Sequence, residues 1–142
     1  AIGSELSGGI ENIYVNNCLA APSAKMFHLV YIKTNERMGG YVKNIHVSNV
    51  SGGKMDFGVV GIETDVLYQW RNLVPTIERK VTPISDIYFK NLKITQGKYL
   101  YQFIGNKELP IQNLVLKNLS SDKITGIQAA ISENVEGLKV IK

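Results

Sequence analysis

Apolar and polar residues alternate along this chain in a phrase that appears four times: Ile10–Cys18 (IENIYVNNC), Val42–Val50 (VKNIHVSNV), Ile84–Leu92 (ISDIYFKNL) and Ile111–Leu119 (IQNLVLKNL). A clipped version, VEGLKVIK, runs from Val135 to Lys142. The shared form is apolar-x-Asn-apolar-x-apolar-x-Asn-apolar. Period-2 alternation with β-branched residues at the apolar places predicts a strand for each copy.

The asparagines are as regular as the apolar positions. Asn12, Asn44, Asp86 and Asn113 share one place in the phrase, and Asn17, Asn49, Asn91 and Asn118 share another. Asparagine tolerates left-handed turn geometry. In stacked copies its amide can also bond the equivalent amide above and below, as in cross-β ladders. Structure accounts for these residues without any appeal to catalysis.

A second set of strand-like segments lies between the copies. HLVYIKTN (His28–Asn35) aligns with VVGIETD (Val59–Asp65), YQFIGN (Tyr101–Asn106) and QAAISEN (Gln128–Asn134). Each repeat therefore holds one strand of each kind, at a period within the solenoid range. The reading is an all-β fold, a right-handed parallel β-helix (a single-stranded β-solenoid) of about five coils at roughly 4.8 Å each, with no helix. The N-terminal phrase resembles no polar cap, so residues 1–142 read as the C-terminal coils of one longer β-helix domain. The longest excursion, Asp65–Pro83, carries Tyr68, Trp70 and Arg79. Solenoid insertions often form the binding face, which makes Tyr68 and Trp70 candidate platforms for a sugar ring.

Composition narrows the partners. A chain of 142 residues with 44% hydrophobic and 20% charged residues is an ordinary globular domain with a real core. No apolar run is long enough for a membrane-spanning helix, so no membrane partner is expected. The net charge of +4 is spread singly along the chain. No Arg/Lys cluster interleaves with aromatics, which argues against nucleic acid; an acidic polysaccharide fits the charge equally well. Cys18, the single cysteine, reads as a buried structural thiol. Neither His28 nor His46 has a partner at metal-ligand spacing, so no metal or other cofactor is expected.

Five phrases together carry a resemblance. Ile2-Gly3-Ser4-Glu5, Ser7-Gly8-Gly9-Ile10 leading into IYVNNC, Tyr31-Ile32-Lys33-Thr34, Gly39-Gly40-Tyr41-Val42 and Asp56-Phe57-Gly58-Val59-Val60 follow one another in this order. In order and spacing they resemble the pectin-degrading glycoside hydrolases of the polygalacturonase family (glycoside hydrolase family 28). The resemblance implies hydrolysis of an α-linked uronic acid chain with inversion, which uses two carboxyl groups roughly 6.5–9.5 Å apart. The family's Asn-Thr-Asp, Asp-Asp and Gly-His-Gly motifs precede its Gly-Ser-Glu phrase, and this sequence holds none of them. No catalytic residue is therefore expected in this chain: Asp56, Asp65, Asp86 and Asp122 match none of those motifs.

Lys33 does carry over. It stands in the place of the lysine in the family's Arg-Ile-Lys motif, which binds the carboxylate of the sugar beside the scissile bond. A lysine is a compact point charge suited to that task. The chain departs from the motif at Tyr31, which replaces a bidentate guanidinium with a ring that can stack on a sugar face. The repeat alignment adds Glu63, one coil on from Lys33 with its backbone about 4.8 Å away, either to position the lysine or to neutralise it. The expected substrate-binding residues are thus Lys33, Tyr31, Glu63, Tyr68 and Trp70. The implied partner is pectin, galacturonan or a related uronide, bound by a secreted or periplasmic monomer that is inactive as this chain alone. A non-catalytic β-helix module, carbohydrate-binding or adhesin-like, is the competing reading; a purely structural solenoid segment is the third.

Overall fold

The computed structural model describes residues 1–64, 66 and 78–142. It is all-β, with no helix among the described residues, and every strand pairing is parallel. The strands are β1 (Gly9–Leu19), β2 (Met26–Lys33), β3 (Tyr41–Glu63), β4 (Ile84–Gly97), β5 (Tyr99–Ile104), β6 (Ile111–Ile124), β7 (Ala130–Glu133), β8 (Val135–Glu136) and β9 (Lys139–Ile141). They form two ladders that the chain visits in turn. One runs β1-β3-β4-β6 and ends on β8 and β9; the other runs β2-β3-β5-β7. β3 belongs to both, its first half in one ladder and its second half in the other.

Left-handed residues let a strand this long curl. The eight Asn and Asp positions of the repeat phrase all have φ between 53° and 58°. Each inserts one residue into the alternation and turns the chain. In β3 the buried residues Val42, Ile45, Val47 and Val50 are therefore spaced three, two and three apart, bracketing Asn44 and Asn49. The phrase is an alternating strand with a bend at each asparagine. Most L-residues lose roughly 1–2 kcal/mol in this conformation, and Asn visits it routinely.

Amide ladders hold the bends in line. Asn118 Nδ2 donates to Asn91 Oδ1 at 2.9 Å, and Asn91 Nδ2 to Asn49 Oδ1 at 2.8 Å. The next step departs from the expected Asn17: Asn49 Nδ2 donates to Asn16 Oδ1 at 2.8 Å. The first copy has two consecutive asparagines there, and Asn16 also accepts from Ser48 Oγ. The other place divides into pairs, Asn44 to Asn12 at 2.6 Å and Asn113 to Asp86 at 3.1 Å. A carboxylate only accepts, so Asp86 has no hydrogen to offer Asn44 Oδ1. His46 Nε2 lies 2.7 Å from that oxygen instead.

Side chains stack in rows inside the curl. Ile45, Ile87 and Leu114 share a register, as do Ile32, Ile62 and Phe103, and all six are fully buried. The rows are open at the β1 end. Ile13 and Leu19 are exposed, and Ile13, Val15 and Leu29 line an apolar hollow of about 440 Å³. Cys18, expected to be buried, is exposed for the same reason: its inward place is covered only from the β3 side. The last copy of the second set sits with Ile131 opposite Gln102 and Ser132 opposite Phe103. This is one residue out of step with an alignment on its terminal asparagine.

Replacing Asn91 separates the two contributions. Asn91→Ala loses both ladder bonds and the tolerance of positive φ, and should destabilise by about 2–4 kcal/mol. Asn91→Gly keeps the backbone freedom and should recover about 1 kcal/mol of that. Urea unfolding of the two variants measures the difference; equal losses would mean that the left-handed bend carries no cost for alanine.

Candidate functional site

Alternation along the second ladder decides which side chains share a face. Ile32, Ile62 and Phe103 point inward, so their neighbours Tyr31, Lys33, Gly61, Glu63 and Gln102 face the other way. The register sets Lys33 opposite Glu63 and Tyr31 opposite Gly61, with Gln102 beyond it. Lys33, Tyr31 and Glu63 therefore lie together on one outward face. The Lys33 ammonium is 5.9 Å from the Tyr31 ring centroid, within cation–π range. Glu63 Oε1 accepts a hydrogen bond from Gln102 Nε2 at 3.1 Å.

Sequence reasoning passed over the support beneath Tyr31. His28, only 6% exposed, stacks on the Tyr31 ring at 4.5 Å between centroids and leans on Phe57 at 5.4 Å. Its Nε2 is 2.7 Å from the Tyr99 hydroxyl, and its buried Nδ1 has no hydrogen-bond partner. Burial pushes the imidazole pKa down to about 4, so it is neutral at neutral pH. Burial, and then the nearby Glu63 charge, hold the Tyr99 hydroxyl above its ordinary pKa and protonated. One hydrogen bond links these two neutral groups, its donor set by the imidazole tautomer.

Glycines make the room. A Cβ on Gly61 would come within 2.6 Å of His28 Nε2, and one on Gly58 would strike the Tyr99 ring and backbone. Two glycines three apart in a strand otherwise rich in valine and isoleucine mark a close approach. That was the available signal for His28 and Tyr99.

The Ile2–Glu5 phrase packs on the Lys33 strand, and the Ser7–Ile10 and Gly39–Val42 phrases pack on each other. Ile2 pairs with its strand through Ile2 N to Tyr31 O and Lys33 N to Ile2 O, both 2.9 Å. Gly3 packs where a Cβ would overlap the Lys33 carbonyl oxygen. Asn35 Nδ2 donates to Ser4 O at 3.0 Å. Gly39 and Gly40 have φ of 69° and 70°, and Gly40 lies against the backbone of Gly8 and Leu6. Arg79 ties the turn after β2 to the turn after β5 through Glu36 and Glu108, the latter at 2.6 Å.

Tyr68, Trp70 and Asp65 lie outside the described residues. Of the other aspartates, Asp86 serves the amide ladder, Asp122 pairs with Lys93 at 2.9 Å, and Asp56 is exposed beside Phe57. Among the described residues no three His, Cys, Asp or Glu side chains stand close enough to hold a metal ion. No family model and no curated protein matches this chain.

The buried imidazole makes stability depend on pH. Its pKa is about 4 folded and about 6.5 unfolded. Between these values the unfolded chain binds a proton that the folded chain does not, so stability falls as pH drops from about 6.5 towards 4. His28→Gln removes this linkage. The difference in unfolding free energy between the parent chain and the variant should be flat above about pH 7.5 and shift against the parent below about pH 6.5. Urea titrations from pH 8 to 4 test this; a difference independent of pH would rule out a depressed pKa for His28.

Proposed function

We propose that this chain is part of a right-handed parallel β-helix and supplies the substrate-binding face of a polygalacturonase-like glycoside hydrolase, within the coils that follow the family's aspartate motifs. The observation that carries the reading is the grouping of Lys33, Tyr31 and Glu63 on one outward face, with the lysine ammonium beside the aromatic ring. In this reading Lys33 takes the carboxylate of a uronic acid unit, a charge-assisted contact. Tyr31 offers its ring to the sugar's apolar face, and His28 and Tyr99 hold that ring from below. Glu63, held by Gln102, orients the Lys33 ammonium. General acid and base come from the aspartate motifs, which these residues do not include, so this chain binds without cutting. The substrate is pectin, galacturonan or a related uronide, which places the protein outside the cell or in the periplasm, acting as a monomer.

A non-catalytic carbohydrate-binding or adhesin-like module uses the same face. It is favoured by the engagement of Asp86 and Asp122 in structural contacts.

Titration of the chain with oligogalacturonate and with its methyl ester tests the reading. Lys33→Met should weaken binding of the acid form about 10- to 150-fold, leave the ester unchanged, and alter stability by no more than about 0.5 kcal/mol. Loss for both ligands, or for neither, would show that Lys33 does not read the carboxylate. Reducing ends released from polygalacturonate by this chain itself would overturn the placement of acid and base outside it.

A further inference from the structure

We infer that the outward face continues from Lys33 to a second carboxylate-reading subsite at Lys98, so that it grips an acidic oligosaccharide at two points; this rests on the uronate reading above. Beyond Tyr99 the face opens into a shallow hollow of about 630 Å³, walled by Phe57, Lys98, Gln102, Ile127 and Gln128. Its frame is backbone. Lys98 N bonds Phe57 O at 2.5 Å, Gly126 N bonds Lys98 O at 3.1 Å, and Leu100 N bonds Ala129 O at 2.8 Å. Residues 126–129 are thus pinned at both ends, and Ile127 and Gln128 form the rim between. Ile127 is fully exposed, an apolar side chain held out at the edge of the hollow.

The chemistry repeats that at Lys33. The Lys98 ammonium stands 4.6 Å from the Phe57 ring centroid, a point charge beside an aromatic surface. Phe57 and Ile127 offer apolar area to a sugar face, and the amides of Gln102 and Gln128 can both donate to and accept from hydroxyls. A run of side-chain contacts joins the two places. Tyr31 stacks on His28, and His28 bonds Tyr99 at the hollow's edge. Glu63, opposite Lys33, is bonded by Gln102 in its wall.

The distance selects the ligand. Ile104 shares the register of Glu63 and Lys33, and Lys98 precedes it by six residues. Six residues of strand at about 3.3 Å and two ladder steps at about 4.8 Å separate the two lysine backbones by roughly 20 Å. One sugar cannot bridge that gap; an oligosaccharide of several uronate units can.

Binding of digalacturonate and hexagalacturonate to the chain, at low ionic strength, tests this. The hexamer should bind at least about tenfold more tightly than the dimer. Lys98→Met should abolish that advantage and leave the dimer unchanged, whereas Lys33→Met should weaken both. Phe57→Leu, which keeps apolar volume at the site, should cost the hexamer several-fold. If Lys98→Met leaves hexamer affinity unchanged, or weakens dimer and hexamer alike, the second subsite is overturned while the uronate reading stands. If neither sugar binds the parent chain, or Lys33→Met changes neither, the uronate reading is overturned and the second subsite with it.

Discussion

The architecture depends on a bend that few residues make comfortably. An alternating strand with no left-handed residue would run straight, and its apolar side chains would lie on a single flat face. With a residue near φ 55° at two places five positions apart in each phrase, the chain turns and its inward side chains converge. The amide of that residue then bonds its counterpart one rung away. One side chain therefore serves both as bend and as brace. Where the residue is aspartate, the brace is interrupted, because a carboxylate accepts and cannot donate; His46 bonds the oxygen that Asp86 leaves open.

The same regularity explains how a varied outward face arises. Parallel register carries Lys33 to Glu63 and Tyr31 to Gly61 without regard to their separation in sequence. A row of outward positions need not be uniform, since only inward positions must be apolar. The second ladder exploits this freedom, with glycine at positions 58 and 61 opening space that His28 and Tyr99 fill. A buried histidine with an unpartnered nitrogen weakens the fold; polar groups left unsatisfied in the interior typically cost about 1–3 kcal/mol. Here it provides a flat, stiff backing for the ring above it.

How much of this was legible in the sequence follows from range. The repeat phrase was readable because its signals are local: alternation, β-branching, and asparagine at fixed offsets all fall within nine residues. The grouping of Lys33 with Glu63 was readable because two copies could be aligned. His28 with Tyr99 was not, since 71 positions separate them and neither residue is unusual in its own segment. Cys18 was misjudged because burial in a stack belongs to a rung and both its neighbours, and β1 has a neighbour on one side only. The step from Asn49 to Asn16 turned on a choice between two adjacent amides that spacing alone does not make.

Charge on the outward face is segregated by depth, and this bears on what the face recognises. The buried layer is neutral, an uncharged imidazole bonded to a protonated phenol. The formal charges, Lys33, Glu63 and Lys98, sit above it on side chains that reach water. A neutral aromatic floor contributes to sugar binding whatever the salt concentration, whereas exposed lysines attract anions through a field that salt screens over about 10 Å at 0.1 M. Tyr31, rather than a second cation, stands beside Lys33, so this part of the face offers ring area backed by His28 and a single positive charge. With cations roughly 20 Å apart at the backbone, well beyond that screening length, the fields of the two lysines act independently. If the proposed uronate reading holds, selectivity for acidic over neutral sugars is set by the lysines singly, and retention of the ligand between them by the aromatic floor.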